Sequence, residues 1–235
     1  MIRTEGLYKS FDKQEVLKGL DLEFEKGSTT AILGPNGSGK TTLIKGILGM
    51  VIPTKGSIFV NGTAVRREWR YREQIGYMPQ IANFPANLRV KELIRMIDDL
   101  RNGQAKDAPL IDLFGLDDMM NKRLGDLSGG TSQKVNAVLA LMFDSPIIIL
   151  DEPTTGLDPV ALIKLKDLLT SYKKEGRTIL ITTHIMSFVE EMADNVVFLL
   201  EGKVYFHGTL KDLLEQQGEE QLDRAIARIM TPTNA

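Results

Sequence analysis

No cysteine occurs anywhere in the chain. That absence removes disulfides, thiolate zinc sites and thiol nucleophiles together, and it fits a reducing compartment. A surplus of one charge is missing as well: 29 basic against 31 acidic residues leave a net charge of −2 and a pI near 5.8, so no basic field draws in nucleic acid. No apolar run approaches the ~20 residues of a membrane span. The opening stretch, Met1-Ile2-Arg3-Thr4-Glu5-Gly6, also lacks the apolar core of a signal peptide. The expectation is a soluble, cytoplasmic protein, for which another chain must supply any membrane part. What is present is globular: 43% hydrophobic and 26% charged residues are ordinary proportions. A length of 235 residues suits one large α/β domain, or a domain with a subdomain, and suffices to bury a core.

Against that plain background one segment is dense in chemistry. Residues 34 to 42 read Gly34-Pro35-Asn36-Gly37-Ser38-Gly39-Lys40-Thr41-Thr42, a complete Gly-x-x-x-x-Gly-Lys-Thr loop. Gly34, Gly37 and Gly39 let the backbone enter positive-φ conformations and approach phosphates closely. Successive N–H groups then form an anion nest at the positive end of the helix that Lys40 begins. Lys40 is placed to reach β- and γ-phosphates, and the Thr41 hydroxyl to ligate Mg²⁺. Ser28–Leu33 is β-branched and apolar and reads as a buried strand feeding the loop, and Leu43–Leu48 continues as a helix. The chain is expected to bind a nucleoside triphosphate.

Elsewhere the chain changes character twice. The opening third alternates apolar and polar residues over Ile2–Leu7, Val16–Phe24 and Ser57–Val60, the last before an Asn61-Gly62 turn, which predicts short strands and hairpins. Between about Ile81 and Phe143 helical spacing takes over, with Val90, Leu93, Ile94 and Ile97 in one stretch and Leu110, Leu113, Phe114 and Leu116 in another. Arg101–Gln104 is a polar break between them. Short apolar runs, Ile147–Leu150 and Thr178–Thr182, then predict parallel strands buried on both faces. Val196–Leu200 and Lys203–His207 predict a hairpin turning at Glu201-Gly202. Past Leu210, residues Leu222, Ala225, Ile226 and Ile229 mark one apolar helix face. His207 lies away from every motif and is given no function.

Two further clusters carry chemistry. Ile147-Ile148-Ile149-Leu150-Asp151-Glu152 is an apolar strand ending in two acids. Asp151 is placed to hold Mg²⁺ through water, and Glu152 to orient and deprotonate an attacking water. Leu127-Ser128-Gly129-Gly130-Thr131-Ser132-Gln133 precedes a helical stretch. Ser128 fits an N-cap, and the glycines expose helix N-terminal N–H groups toward an anion. Alone, that segment reads first as an ordinary capped turn. Beside the first loop it reads as a second phosphate-binding surface, serving the nucleotide of a partner molecule.

In this order the motifs resemble the ATP-binding subunit of an ATP-binding-cassette transporter, over roughly residues 2 to 210. Gln80, after Tyr77-Met78-Pro79, matches the family's glutamine loop, and Leu127–Thr131 its signature motif. Thr154-Thr155-Gly156-Leu157-Asp158 matches the aspartate loop, and His184 the switch histidine that senses the γ-phosphate. The resemblance implies an α/β P-loop fold: a RecA-like core, an antiparallel β subdomain and a helical subdomain inserted at about 81–143. The cassette would span 1–210 and a helical tail 211–235. Roughly three short helices would fit between Gln80 and Ser128. It further implies ATP and Mg²⁺ as ligands, with Thr41, Gln80 and Asp151 about the metal and Glu152, His184 and Gln80 in hydrolysis. Phe11 would stack on adenine, residues 34–42 would hold the phosphates, and Ser128, Gly129, Gly130 and Asp158 would meet nucleotide across a homodimer. A membrane permease is the implied partner, and no nucleic acid is expected. Gln80–Pro85 is the expected docking surface; Phe84, a large aromatic in an otherwise polar loop, either anchors it or folds back into its own helical subdomain.

Two positions depart from the family. Phe11 stands where tyrosine is usual; its π-face is kept and a hydroxyl lost. Thr131 replaces a glutamine, keeping a hydroxyl donor of shorter reach. The stretch Leu127–Ala137 is similar to the branch of these ATPases associated with copper handling and nitrous-oxide-reductase maturation, although a chain with no cysteine and two scattered histidines is not itself the copper binder. A cassette ATPase of DNA repair or translation is the alternative; those resemble longer, basic chains. A regulatory GTPase fits less well, because Asn121-Lys122-Arg123-Leu124 lacks the carboxylate that would read guanine.

Overall fold

The computed structural model describes residues 1–66 and 68–231; positions 232–235 of the expected tail lie outside them. Chain order begins β1 (Ile2–Phe11), β2 (Gln14–Phe24), β3 (Thr29–Leu33), α1 (Lys40–Ile47), β4 (Lys55–Val60) and β5 (Thr63–Ala64). Then come β6 (Ile75–Met78), α2 (Val90–Leu100), α3 (Ala108–Phe114), α4 (Gly129–Leu141), β7 (Ile147–Asp151), α5 (Pro159–Lys174) and β8 (Thr178–Thr182). The remaining elements are α6 (Met186–Met192), β9 (Asn195–Leu200), β10 (Lys203–Thr209), α7 (Leu210–Gln217) and α8 (Leu222–Met230). Two compact units result, one formed by 1–72 with the stretch from Leu180 onward, the other by Glu73–Ile179, and β8 spans the boundary in sequence.

In the first unit an antiparallel sheet runs in the order β2-β1-β4-β5, with Ile2 opposite both Phe24 and Val60. Alternation along β1 buries Ile2, Thr4 and Leu7 and leaves Arg3 and Glu5 outside, as the sequence pattern required. Asn61 and Gly62, both at positive φ (47° and 81°), make the tight turn from β4 to β5. Parallel pairing joins β3 to β9, Ala31 opposite Val196 and Leu33 opposite Phe198, and β10 returns antiparallel through Glu201 and Gly202. Ala31, Leu33, Val196 and Phe198 share one core with Leu213 of α7 and with Leu222, Ile226 and Ile229 of α8. The apolar face of α8 is thus consumed inside its own unit; each large side chain so buried contributes about 1.5–3 kcal/mol.

The second unit pairs β6 with β7 in parallel, Ile75 opposite Ile147 and Met78 opposite Leu150. All five residues of β7 are buried, which explains an unbroken apolar run in place of alternation. The region between Gln80 and Ser128 holds two α-helices and two 3₁₀ turns, at Asp117–Met119 and Leu124–Asp126. α2 buries Val90, Leu93 and Ile94 and stops where Asn102 and Gly103 both turn to positive φ. Unanticipated from the sequence were β6, only four residues with a glycine inside, and α5, which buries Ala161, Leu165 and Leu169 at i, i+4, i+8. Among the described residues no helix is long and apolar enough to cross a membrane.

Candidate functional site

Site residues fall into two groups, one in each unit. In the first, β3 delivers the chain directly into the glycine-rich loop, and Lys40 opens α1. Gly34 has φ 142°, and a Cβ there would stand 2.1 Å from the carbonyl oxygen of Leu199 and 2.7 Å from Ser38 Oγ. Only glycine fits, so the loop lies against the end of β9. Gly39, the N-cap of α1, adopts the left-handed conformation at φ 106°. Its residue type leaves the first-turn N–H groups of α1 uncapped by any side chain, at the positive end of the helix dipole. Lys40 Nζ folds back over the loop and donates to the carbonyl oxygens of Gly34 at 2.6 Å and Pro35 at 3.1 Å. Ser38 is 2% exposed with no hydrogen-bond partner for its Oγ. A buried hydroxyl without a partner is costly by about 1–3 kcal/mol, and an incoming phosphate oxygen offers one.

At the far end of β1 the ring of Phe11 is about half exposed, and Lys9 Nζ sits 4.7 Å from its centroid while donating to the Ile52 carbonyl at 3.0 Å. One ring face is therefore covered by a cation, an arrangement the sequence pattern did not signal. His184 is exposed two residues beyond β8, just ahead of α6. His207 projects from β10, exposed.

In the second unit Asp151 ends β7 with 4% exposure and Glu152 follows at 8%. Glu152 holds φ at 52°, a left-handed conformation that costs a non-glycine residue about 1–2 kcal/mol. Its carbonyl accepts from the Thr155 N–H at 3.1 Å, which ties the strained residue into the turn behind it. Strain of this kind at a buried acid is a mark of a functional position. Tyr77 on β6 is half-buried and near enough to Asp151 that its phenol is pushed up to about 12, by burial first and the carboxylate second.

The signature segment forms the start of α4. Ser128 is the N-cap, its Oγ accepting from the Thr131 N–H at 3.3 Å. Thr131 Oγ1 lies 2.9 Å from the same Ser128 Oγ, so the residue that departs from the family is hydrogen-bonded to the cap itself. Ser128 and Gly129 are exposed, and nothing lies within 4 Å of a Cβ built on Gly129. Asp158 caps α5, accepting from Ala161 N–H at 2.9 Å, and Lys134 of α4 pairs with it at 2.6 Å. The carboxyl of Asp158 is held below its ordinary range, by the Lys134 hydrogen bond first and the Ala161 N–H second. Gln80 is exposed just beyond β6 and Pro79. Leu124 is buried, so the Asn121–Leu124 stretch offers no base-reading carboxylate.

The sequence marked the motif positions but not Lys9, Tyr77 or Lys134. Lys134 follows the signature too closely to stand out.

A family model described as ABC transporter matches residues 17–155. The chain is similar to the lantibiotic transport ATP-binding protein SrtF of Streptococcus pyogenes, at 32% identity over 226 residues, 95% of this chain and 94% of that one. It is also similar to the Nod factor export ATP-binding protein I of Burkholderia orbicola, at 34% identity over 215 residues, 89% of this chain and 71% of that one. Among solved structures, an ATP-binding subunit of an ABC transporter superposes with a TM-score of 0.93 at 30% identity, covering 98% of this chain and 100% of the other.

Proposed function

We propose a residue-level mechanism from one premise: the chain belongs to the ATP-binding-cassette transporter family, as an ATP-binding and ATP-hydrolysing subunit. Phe11 stacks on adenine with the ring face that Lys9 leaves open. Residues 34–42 wrap the phosphates, with backbone N–H groups as donors and Lys40 exchanging its two carbonyl partners for β- and γ-phosphate oxygens. Thr41, Gln80 and Asp151 would hold Mg²⁺; a hydroxyl, an amide oxygen and a buried carboxylate are the hard oxygen donors this ion takes. When bound, the metal supplies neutralisation of phosphate charge. Glu152 takes the proton of the attacking water, and His184 donates toward the γ-phosphate.

Support for a dimer comes from the second cradle. The N-terminus of α4, capped by Ser128 and open at Gly129, would suit a phosphate, and the lysine near it, Lys134, is paired with Asp158 and not free to play the part of Lys40. A half-site of this kind is completed by nucleotide on another copy, with Ser128, Gly129, Gly130 and Asp158 facing across the dimer. Removal of the γ-phosphate then releases the two copies, and that opening drives a permease. The cassette of 1–210, with its helical insertion at 81–143, performs this cycle on the cytoplasmic face of the membrane, held there by the permease. The roles named for the two relatives, lantibiotic transport and Nod factor export, support an exporter.

The single observation carrying this reading is the second exposed helix N-terminus, at Ser128 and Gly129, whose nearby Lys134 is already committed to Asp158. Steady-state phosphate release from Mg-ATP, measured over a range of protein concentrations, tests it. Specific activity should rise with concentration as dimers form; activity independent of concentration down to the nanomolar range would refute the shared site.

A further inference from the structure

One buried polar contact in the second unit has no part in the mechanism above. The β6–β7 ladder ends at Met78 opposite Leu150, so the backbone beyond it has no strand partner. The next carbonyl, that of Pro79, instead accepts a hydrogen bond from Asn136 Nδ2 at 2.8 Å. Asn136 lies on α4 and is 3% exposed, and the same amide nitrogen donates to Gln133 Oε1 at 3.3 Å. Gln133 is itself buried, and its Nε2 has no hydrogen-bond partner. An amide on a helix as buried as this one, with Val135, Ala137 and Val138 also buried, is expensive unless its hydrogen bonds are made.

The Pro79 carbonyl belongs to the peptide plane whose nitrogen is that of Gln80. Proline already fixes the φ of residue 79 through its ring. Anchoring the carbonyl fixes ψ as well, and so sets the direction in which Gln80 leaves the strand. α4 cannot slide to accommodate a different direction, because a Cβ on Gly76 of β6 would stand 2.3 Å from the Ala140 carbonyl on the same helix. Strand and helix are in backbone contact there, and Asn136 fastens the loop one turn nearer the signature. Ser128, the cap of that helix, lies eight residues upstream, about 12 Å along the axis.

We propose that Asn136 is a positioning residue for Gln80, and that through it the glutamine loop and the signature helix move as one body. The inference rests on the assignment of Gln80 to the Mg²⁺ of its own nucleotide and of Ser128 to the nucleotide of the other copy. Under that assignment Asn136 links the two nucleotide sites of a dimer.

The test uses the full chain, with Asn136→Ala and Asn136→Leu. Leucine keeps the forked shape of asparagine without the donor, and serves if the alanine variant does not fold. Mg-ATP turnover, the Mg²⁺ concentration for half-maximal turnover, and the affinity for a fluorescent ATP analogue are measured for each. Turnover should fall about tenfold, the scale of a modest misplacement of a reacting group. Half-saturating Mg²⁺ should rise several-fold, with analogue affinity within about twofold of the parent, because the phosphate loop is on the other unit. In a Gln80→Ala background the same substitutions should cost less than about twofold further, since their target is gone. Multiplicative losses with Gln80→Ala, or a leucine variant with parental turnover and Mg²⁺ dependence, would overturn the proposal. An unmodified chain that fails to hydrolyse ATP would overturn the underlying assignment, before any variant is compared.

Discussion

Lys134 Nζ lies 2.6 Å from Asp158 Oδ2, joining the second turn of the signature helix to the residue that caps α5. The other carboxylate oxygen of Asp158 accepts from the Ala161 N–H. Both partners favour the ionised form, so the carboxyl titrates below the ordinary 3.8, and the lysine is the larger cause. A depressed carboxylate contributes stability above its unfolded value and loses it as pH falls through the folded one. The pair is therefore charged at neutral pH and is lost as pH falls through the lowered Asp158 value. Lys134→Met should move the Asp158 titration upward toward that ordinary value, read by carboxyl-carbon NMR. A titration that stays put would assign the shift to the helix N-terminus alone.

Glu152→Gln should retain ATP binding and lower turnover by about 10² or more, because an amide cannot take the proton of water. Lys40→Ala should instead weaken nucleotide binding, since the cation that folds over Gly34 and Pro35 is lost. Equilibrium binding and phosphate release separate the two effects. Near-parental turnover in the glutamine variant would mean that another group serves as base.

The Glu152→Gln protein should sediment as a dimer with Mg-ATP and return toward monomer with ADP. Under the proposed mechanism the γ-phosphate ties Lys40 of one copy to Ser128 of the other. An alternative contact through the apolar face of α8 is not available, because Leu222, Ile226 and Ile229 are already buried against β3 and β9. A dimer indifferent to nucleotide would count against the sandwich.

Legibility of the fold from sequence followed local pattern strength. β3, β7 and β8 are short runs of apolar or β-branched residues and could be read without a partner, as could the turn glycines. β6 could not, since Ile75-Gly76-Tyr77-Met78 has neither alternation nor length, and its place depends on pairing with β7. α5 was hidden because apolar Val160 and Ile163 lie exposed on it while Ala161, Leu165 and Leu169 are buried, which blurs its amphipathic pattern. At the site, motif residues announced themselves because their residue types are rare together. The residues that hold them, Lys9, Lys134 and Asn136, are ordinary types whose roles exist only through contacts across the fold.

Docking of the permease on the segment after Gln80 makes the last prediction. Ile81 is 72% exposed, whereas Phe84 is partly buried. A side chain as apolar as isoleucine, open to water beside a nucleotide-sensing glutamine, gains by being covered, and Phe84 presents only part of its ring to a partner. Both follow Pro79, whose carbonyl accepts from Asn136, so under the proposed coupling a push on the loop would reach the signature helix. Ile81→Glu should leave the basal turnover of the isolated subunit within a few-fold and weaken co-purification with the permease at least tenfold, a burial-dependent loss typical of a central contact. Phe84→Ala should weaken assembly less and lower the urea midpoint, in proportion to the buried part of its ring. Equal assembly in both variants would move the docking surface elsewhere. Loss of basal turnover together with stability in Phe84→Ala would make Phe84 a core residue of its own unit, leaving Ile81 as the sole anchor.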